Sequence, residues 1–315
     1  MKPHGLVLSV VLLAAVVTPA CGELTVKPSD AGAVVEVDGE LFAEYLTRSG
    51  HQPAIWPLVG PQGNRLTRSY PLGERGADER DDHPHHRSLW FAHGIVNDAD
   101  FWLEPKGDDG CLIKHEGFET LESDGQVATI VTRNDWLAGG ESQCTDRRSF
   151  CFSAPESGVR LIDCTIELIA GDQPVTFGDT KEGAFAVRVA GTMKVDAKQG
   201  GHIVNSAGQQ DSEAWGRAAN WVDYSGPADG KQSGIAIFSC PDSDHDPCLW
   251  HVRTYGLFAA NPFGVRHFPA SDLAPQGPVT LQPGGSFKLR YLVVLHDGQR
   301  SQDQLAAMYE RLTAK

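Results

Sequence analysis

The histidines of this sequence are concentrated in one short segment. Four of the 12 histidines lie within residues 81–94, together with aspartates, a proline and an arginine. The proline disfavours a helix and favours an extended or looped path. In an extended segment, His83, His85 and Arg87 share one face. His86 then points to the other face. Because imidazole titrates near neutral pH, such a cluster is typical of a site that moves protons or binds a metal.

Two kinds of chemistry fit this segment. In the first, His85 and His86 transfer protons to and from a substrate, and Glu182 is their partner base. This chemistry requires no cofactor. In the alternative, His83, His85 and His93 hold a divalent metal such as zinc, copper or iron. A purely structural role, in which the histidines fill hydrogen-bonded loop positions, is the third interpretation.

A second polar segment lies further along the chain. His251, Arg253 and Tyr255 alternate, which places them on one face of an extended strand. Carbohydrate sites combine flat aromatic rings for sugar C–H faces with charged and amide groups for hydroxyls. Arg87 and Arg253 would also stabilise negative charge that develops on the substrate during the reaction. The predicted substrate-binding residues are Arg87, His93, His251, Arg253, Tyr255 and Asn261.

Composition limits the partners. The chain has 41 acidic and 27 basic residues and a formal net charge of −14. A field of that sign repels phosphate backbones, so we expect no nucleic acid partner and favour a small molecule or an oligosaccharide. Hydrophobic residues make up 41% of the 315 residues, which is typical of a globular protein.

The beginning of the chain has the pattern of an export signal. Residues 1–20 contain an early lysine and an apolar run of about a dozen residues, which is too short to span a bilayer comfortably. Cleavage after Ala20 would leave Cys21 first, as in a lipoprotein. Thr18 stands where lipoproteins prefer Leu or Val, so secretion or a periplasmic location is favoured over a lipid anchor. The membrane would be contacted only through the signal or that anchor.

Six further cysteines in an exported chain favour disulfides. Cys240 and Cys248 flank a short polar loop and are the easiest pair to close. Cys164 alternates with aliphatic residues, so it is expected on the buried side of a strand.

The elements that must position these residues are mostly strands. Val35 and Val37 precede Asp38-Gly39, a pair that predicts a tight hairpin turn. A capping box from Ser301 to Gln304 predicts one C-terminal helix. Regular βα alternation is absent. We therefore predict an all-β fold, a large antiparallel β-sandwich formed by residues 21–315 as one domain. Further predicted strands are Val127–Thr132, Val159–Ala170, Ala184–Val195, Gly234–Cys240 and Val279–His296.

Three runs carry a resemblance to a known family. The runs are DHPHHRSLWFAHG, DTKEGAFAVR and HVRTYGLFAANPFG. They resemble those of a bacterial family labelled methane oxygenase PmoA-like, and the similarity extends from about Pro53 to the end of the last predicted strand. The methane monooxygenase subunit of that name is an integral membrane protein, whereas this chain has no further membrane-length apolar run. We interpret the label as a misattribution.

The family and its strand pattern are also similar to exported carbohydrate-related proteins with the galactose-mutarotase supersandwich fold. The resemblance implies an acid/base pair of a histidine and a carboxylate around a sugar, here Glu182 with one of the clustered histidines and His251 nearby. The mutarotase motifs themselves have no clear counterpart, so epimerase activity does not transfer.

Three functions follow as hypotheses. The first is an exported carbohydrate-binding or carbohydrate-active protein with acid/base chemistry of the epimerase, lyase or hydrolase type. The second is a metal-dependent oxygenase with histidine ligands. The third is a non-catalytic glycan-binding module or structural lipoprotein.

Overall fold

The structure is a computed structural model that describes residues 22–107, 110–246, 248–269 and 277–314. The predicted signal segment and Cys21 lie outside the described residues. Within these residues there are nineteen strands: β1 Leu24–Pro28, β2 Gly32–Val37, β3 Glu40–Ser49, β4 Gln52–Leu58, β5 Leu89–His93, β6 Leu112–Ser123, β7 Val127–Ala138, β8 Glu141–Glu156, β9 Val159–Ile169, β10 Val175–Phe177, β11 Gly183–Arg188, β12 His202–Asn205, β13 Ala218–Ala219, β14 Trp221–Ala228, β15 Lys231–Ser239, β16 Cys248–Val252, β17 Leu257–Asn261, β18 Val279–Leu281 and β19 Ser286–Asp297.

Helical structure in the described residues is limited to four segments. The α-helix α1 spans Gln302–Thr313, and the 3₁₀ turns are Gly191–Met193, Val195–Ala197 and Asp211–Ala214. No helix among these residues is long and apolar enough to cross a membrane.

Two antiparallel sheets face each other across one core in the described part of the chain. One sheet has the order β1-β2-β3-β4-β5-β11-β17-β16-β13, the other the order β12-β14-β15-β19-β9-β8-β7-β6, and β10 pairs with β18. Aromatic pairs join the sheets, such as Phe42 to Phe152 with ring centroids 5.3 Å apart and Phe185 to Tyr291 at 4.7 Å. The predicted all-β sandwich with a C-terminal helix is confirmed.

The two sheets differ in how they are buried. Strand β9 alternates buried and half-buried positions, as expected where one face packs on the core, and Cys164 lies on the buried face as predicted. Strands β5, β11, β16 and β17 are instead buried at every position, so both faces of the first sheet are covered there. Loops cover the side away from the core, and these loops carry the candidate site.

Local sequence signals predicted several elements well. Asp38 and Gly39 both have positive φ, 53° and 78°, which is the geometry of a type I′ hairpin turn. The side chain of Ser301 accepts a hydrogen bond from the Gln304 amide, and the Gln304 side chain accepts one from the Ser301 amide. The helix packs Leu305 and Met308 against the outer face of the second sheet.

Two predicted strands have different bounds. The predicted strand from Ala184 to Val195 ends at Arg188, because the next amides, of Val189 and Ala190, bond to loop carbonyls and the chain then enters 3₁₀ turns. The predicted strand from Val279 to His296 is two strands, separated by a turn in which Gly284 has a φ of 73°.

The cysteines of the described residues are all free thiols, so the disulfide predicted between Cys240 and Cys248 is not formed in this structure. Both side chains are buried. Burial raises the pKa of the Cys240 thiol to about 12 and raises that of Cys248 further.

Candidate functional site

Residues from the three sequence runs converge on one cleft with a volume of about 340 Å³. They come from the loop before β5, the turn before β11, and β16 with the turn that follows it. This brings together most of the residues predicted to do chemistry. The lining residues are His83, His85, His86, Leu103, Lys181, Glu182, His251, Arg253 and Tyr255.

The first histidines form a turn and not an extended segment. The amide of His86 donates to the carbonyl of His83 at 3.0 Å, and His83 has a φ of 47°. The prediction that His86 points away from His83 and His85 was therefore wrong, because all three line the cleft. The buried guanidinium of Arg68 holds the turn by donating to the carbonyls of Asp82, His83 and His86 and to the Asp82 carboxylate.

Four rings form a stack that begins in the cleft lining and ends at the buried Trp90. Tyr255 stacks on His83 with centroids 5.5 Å apart, His83 on His86 at 4.8 Å, and His86 on Trp90 at 5.4 Å. His85 meets His86 edge to face at 4.5 Å. Because each ring limits the rotation of the next, the imidazoles are held in place before any ligand binds.

Hydrogen bonding fixes the tautomer of His86. The Nη1 of Arg188 can only donate, so at 3.0 Å it makes Nδ1 of His86 an acceptor and leaves the proton on Nε2. Burial and the adjacent Arg188 hold the pKa of His86 well below its ordinary value. His86 is thus a neutral donor through Nε2, with no free basic nitrogen.

Asp82 balances the two buried arginines under the turn. Its carboxylate lies 3.0 Å from Arg68 and 3.2 Å from Arg188. Burial opposes its ionisation, but Arg188 and His83 together lower the pKa of Asp82 below its ordinary value. Burial and the neighbouring Arg188 lower the pKa of Arg68 to about 10.

His85 differs from its neighbours because its ring makes no hydrogen bond with a described residue. The side chain is 8% exposed and packs near Trp102. Burial, with a contribution from His83, lowers the pKa of His85 to about 4. The ring is therefore neutral at neutral pH, with its nitrogens available to a ligand.

His251 has the opposite tautomer to His86. Its Nδ1 lies 2.6 Å from the carbonyl of Lys181, which can only accept, so Nδ1 carries the proton and Nε2 keeps a free lone pair. Burial lowers the pKa of His251, while the nearby Glu182 carboxylate opposes that shift. Glu182 itself is paired with Lys181 at 3.2 Å.

Two further groups complete the cleft. The hydroxyl of Tyr255 makes no hydrogen bond with a described residue, and burial raises its pKa, so it remains a protonated donor. Leu103 lines the cleft, and 48% of its surface is exposed. No other large hydrophobic residue of the described chain is exposed to this extent. An exposed apolar side chain beside polar groups is typical of a ligand contact.

A slightly larger depression of about 380 Å³ lacks comparable chemistry. It is lined by residues around the β2–β3 and β8–β9 turns, and the guanidinium of its arginine, Arg160, donates to the carbonyls of Leu41 and Val59. Its remaining charged groups, Asp38, Glu40 and Glu156, are not accompanied by a histidine. The histidine cleft is the better candidate site.

Comparison with known proteins gives a family without an assigned activity. Residues 32–310 match the model of DUF6807, described as a family of unknown function. The chain belongs to the DUF6807 family. No curated protein matches this DUF6807 chain significantly. The matching model does not bear on the resemblance to the family labelled methane oxygenase.

Solved structures similar to this DUF6807 chain include an α-galactosidase from Lactobacillus brevis, with 10% identity and a TM-score of 0.45 over 91% of this chain and 42% of that chain. Another is the heparan sulfate lyase HepC from Pedobacter heparinus, with 11% identity and a TM-score of 0.39 over 88% of this chain and 37% of that chain. The chain therefore spans about two fifths of the length of these proteins. At these values neither activity transfers to it.

Three predicted substrate-binding residues of the DUF6807 chain lie outside the cleft lining. Arg87 donates to the Glu104 carboxylate at 2.8 Å. Asn261 donates to the carbonyl of Thr180, and Nε2 of His93 bonds to the carbonyl of Gly178 at 2.8 Å. The side chains of His93 and Asn261 are completely buried. These two residues hold the loop that carries Lys181 and Glu182.

The location of His93 also separates the predicted metal ligands. His83 and His85 lie in the cleft, whereas His93 packs against Phe263 with ring centroids 4.7 Å apart. Among the described residues, no group of three or more His, Cys, Asp or Glu side chains is placed to hold a metal ion. The predicted set of His83, His85 and His93 does not form one site in this DUF6807 chain.

Sequence reasoning missed several residues of the site. Arg68 and Arg188 are each 2% exposed and hold the histidine turn, yet an arginine on a strand or loop gives no sign that it will be buried. Leu103 was missed as well. A signal was present for Arg188, which ends the second quoted run.

Proposed function

We propose that the cleft binds a carbohydrate and moves a proton at one of its carbon atoms. The volume of about 340 Å³ is at the lower end for ligand pockets and suits a ligand the size of a sugar ring. The lining combines hydrogen-bond donors, acceptors and one exposed leucine. Such a mixture matches the hydroxyls and C–H faces of a sugar.

The observation that carries this proposal is the hydrogen bond of His251. Because Nδ1 donates to the Lys181 carbonyl at 2.6 Å, the ring is oriented and its Nε2 is a free base. A base oriented by a second group is the usual arrangement in general base catalysis. When His251 takes up a proton, the neighbouring Glu182 carboxylate stabilises the imidazolium.

The hydrogen-bond donors that face the substrate would be different groups. His86 presents an Nε2–H that Arg188 fixes, and Tyr255 presents a free hydroxyl. In this arrangement His86 donates a hydrogen bond to the substrate and does not shuttle protons, while His85 accepts one through a free ring nitrogen. His251 takes over the role of base that the sequence favoured for Glu182, which becomes its partner.

The reaction class follows from the number of carboxylates. Glycoside hydrolysis by the usual route uses two carboxyl groups on either side of the scissile bond. Among the described residues that line the cleft, Glu182 is the one carboxylate, and Asp82 beneath it is engaged by two arginines. Proton abstraction from carbon, as in epimerisation or elimination, fits this set better.

The test is the exchange of sugar protons with solvent. The protein is incubated in D₂O with a panel of mono- and oligosaccharides, and deuterium incorporation or an elimination product is followed by NMR and mass spectrometry. His251→Gln should slow exchange by about 10²- to 10⁴-fold, the usual contribution of a general base. His202→Gln, which replaces a histidine outside the cleft, is the matched control. Sugar binding without exchange or product would identify a glycan-binding protein and refute the catalytic proposal.

A further inference from the structure

A second cavity adjoins the histidine cleft. It has a volume of about 220 Å³ and is lined by Ser212, Trp215, Val252, Arg253 and Thr254. Arg253 lines both volumes. A ligand longer than one sugar ring could therefore pass over Arg253 from one cavity into the other.

Arg253 is an arginine without an ionic partner. Its guanidinium makes no hydrogen bond and no ion pair with any described residue, whereas around the cleft Arg87 pairs with Glu104, and Arg68 and Arg188 share the carboxylate of Asp82. Lys181 is likewise offset by the carboxylate of Glu182. Arg253 thus supplies a positive charge that nothing in the described site neutralises.

Aromatic rings hold this guanidinium in place. Its Cζ lies 5.5 Å from the ring centroid of Trp215 and 5.7 Å from that of Tyr255. Cation–π contacts of this kind orient the planar group and leave its N–H donors free. A planar fork of donors matches the two oxygens of a carboxylate or the oxygens of a sulfate.

We propose that the two cavities are adjacent subsites for an acidic saccharide, with a carboxylate or sulfate group on Arg253. One sugar unit occupies the histidine cleft, and the next rests against Trp215. This inference deepens the proposed function and rests on it, because it concerns the ligand of the same cleft. It adds the charge of the ligand and its minimum length.

The experiment compares acidic and neutral glycans on one array, which carries uronate-containing, sulfated and neutral oligosaccharides. Wild type, Arg253→Gln and Arg253→Lys are measured, and each array hit is repeated by calorimetry with fragments of one, two and three sugars. Arg311→Gln is the control for net charge, because Arg311 pairs with Glu156 on the outer face of the second sheet. Urea melts verify that each variant is folded.

We expect acidic glycans among the hits. Arg253→Gln should weaken their binding by about 10- to 100-fold, the usual range for a lost charge-assisted hydrogen bond, with a smaller loss for Arg253→Lys and none for Arg311→Gln. Affinity should rise from one sugar to two. Uronate hits without sulfated ones, or the reverse, identify which anion is bound.

Three results would overturn it in different ways. Binding of neutral glycans only, unchanged in Arg253→Gln, would refute the acidic ligand and leave the proposed function intact. Binding of no glycan at all would refute both. Acidic glycans that bind no better as disaccharides than as monosaccharides would refute the second subsite.

Discussion

Acid should destabilise this protein in part through one buried histidine behind the site. His93 is completely buried, and burial lowers its pKa from 6.5 to about 4, although its bond to Gly178 and the charge of Asp179 oppose the shift. The folded state therefore binds fewer protons than the unfolded chain between these two values. The contribution of the neutral His93 to the free energy of unfolding is therefore complete above about pH 6.5. It is lost as the pH decreases towards 4.

The size of the loss follows from the two pKa values. A difference of about 2.5 pH units corresponds to about 3 kcal/mol when the pH is well below 4. At pH 5 the unfolded imidazole is almost fully protonated and the folded one is not, so about 2 kcal/mol is already lost. Against a total stability of roughly 5–15 kcal/mol, this loss is measurable.

The assay is urea unfolding of wild type and His93→Gln at pH 7.5 and pH 5. The glutamine amide can still donate to the Gly178 carbonyl but does not titrate. Between pH 7.5 and pH 5, the free energy of unfolding of wild type should decrease by about 2 kcal/mol more than that of the variant. This difference does not depend on how much the substitution itself destabilises the protein at pH 7.5. His267→Gln, at an exposed histidine, should follow wild type. An equal loss in wild type and His93→Gln would refute the assignment of a buried neutral imidazole.

Three other perturbations have expected outcomes. Asp82→Asn leaves two buried guanidiniums without their shared carboxylate, so we expect a loss of about 1–3 kcal/mol in urea melts, reduced from the value for a fully buried pair by the partial exposure of Asp82. Ser301→Ala removes the helix cap and should cost about 1 kcal/mol without changing glycan binding. Thiol titration with Ellman's reagent should label Cys240 and Cys248 only after unfolding, and failure to label them then would show that they form a disulfide after all.

Elements defined by a few neighbouring residues could be predicted from the sequence. The hairpin turn at Asp38-Gly39 and the helix beginning after Ser301 depend on contacts between residues at most a few positions apart. The turn before Ser286 is also local, because Pro283, Gly284 and Gly285 are typical turn residues, although the predicted strand ran through it. The end of the strand at Arg188 could not be predicted this way, because it depends on the carbonyls of Leu66 and Gly256, which distant parts of the chain put in place.

The site was predictable in composition but not in geometry. The residue types in the three runs indicated acid/base chemistry, and His251, Arg253 and Tyr255 do line the cleft together. The face of His86 was predicted wrongly because Arg68, far from it along the chain, draws the carbonyls of His83 and His86 into a turn. His93 and Asn261 were assigned to the substrate because sequence alone does not show that both are completely buried.

The charge of the chain and the charge of the cleft have different consequences. A formal net charge of −14 acts over the whole surface, but salt screens exposed charges beyond about 8–10 Å. Within the site, Arg68, Arg188, Arg253 and Lys181 outnumber Asp82 and Glu182. A long polyanion meets mainly the surface and is repelled, whereas a short acidic saccharide meets mainly Arg253. Physiological salt should therefore weaken the long-range repulsion of such a ligand more than its contact with the guanidinium, which two aromatic rings partly shield from solvent.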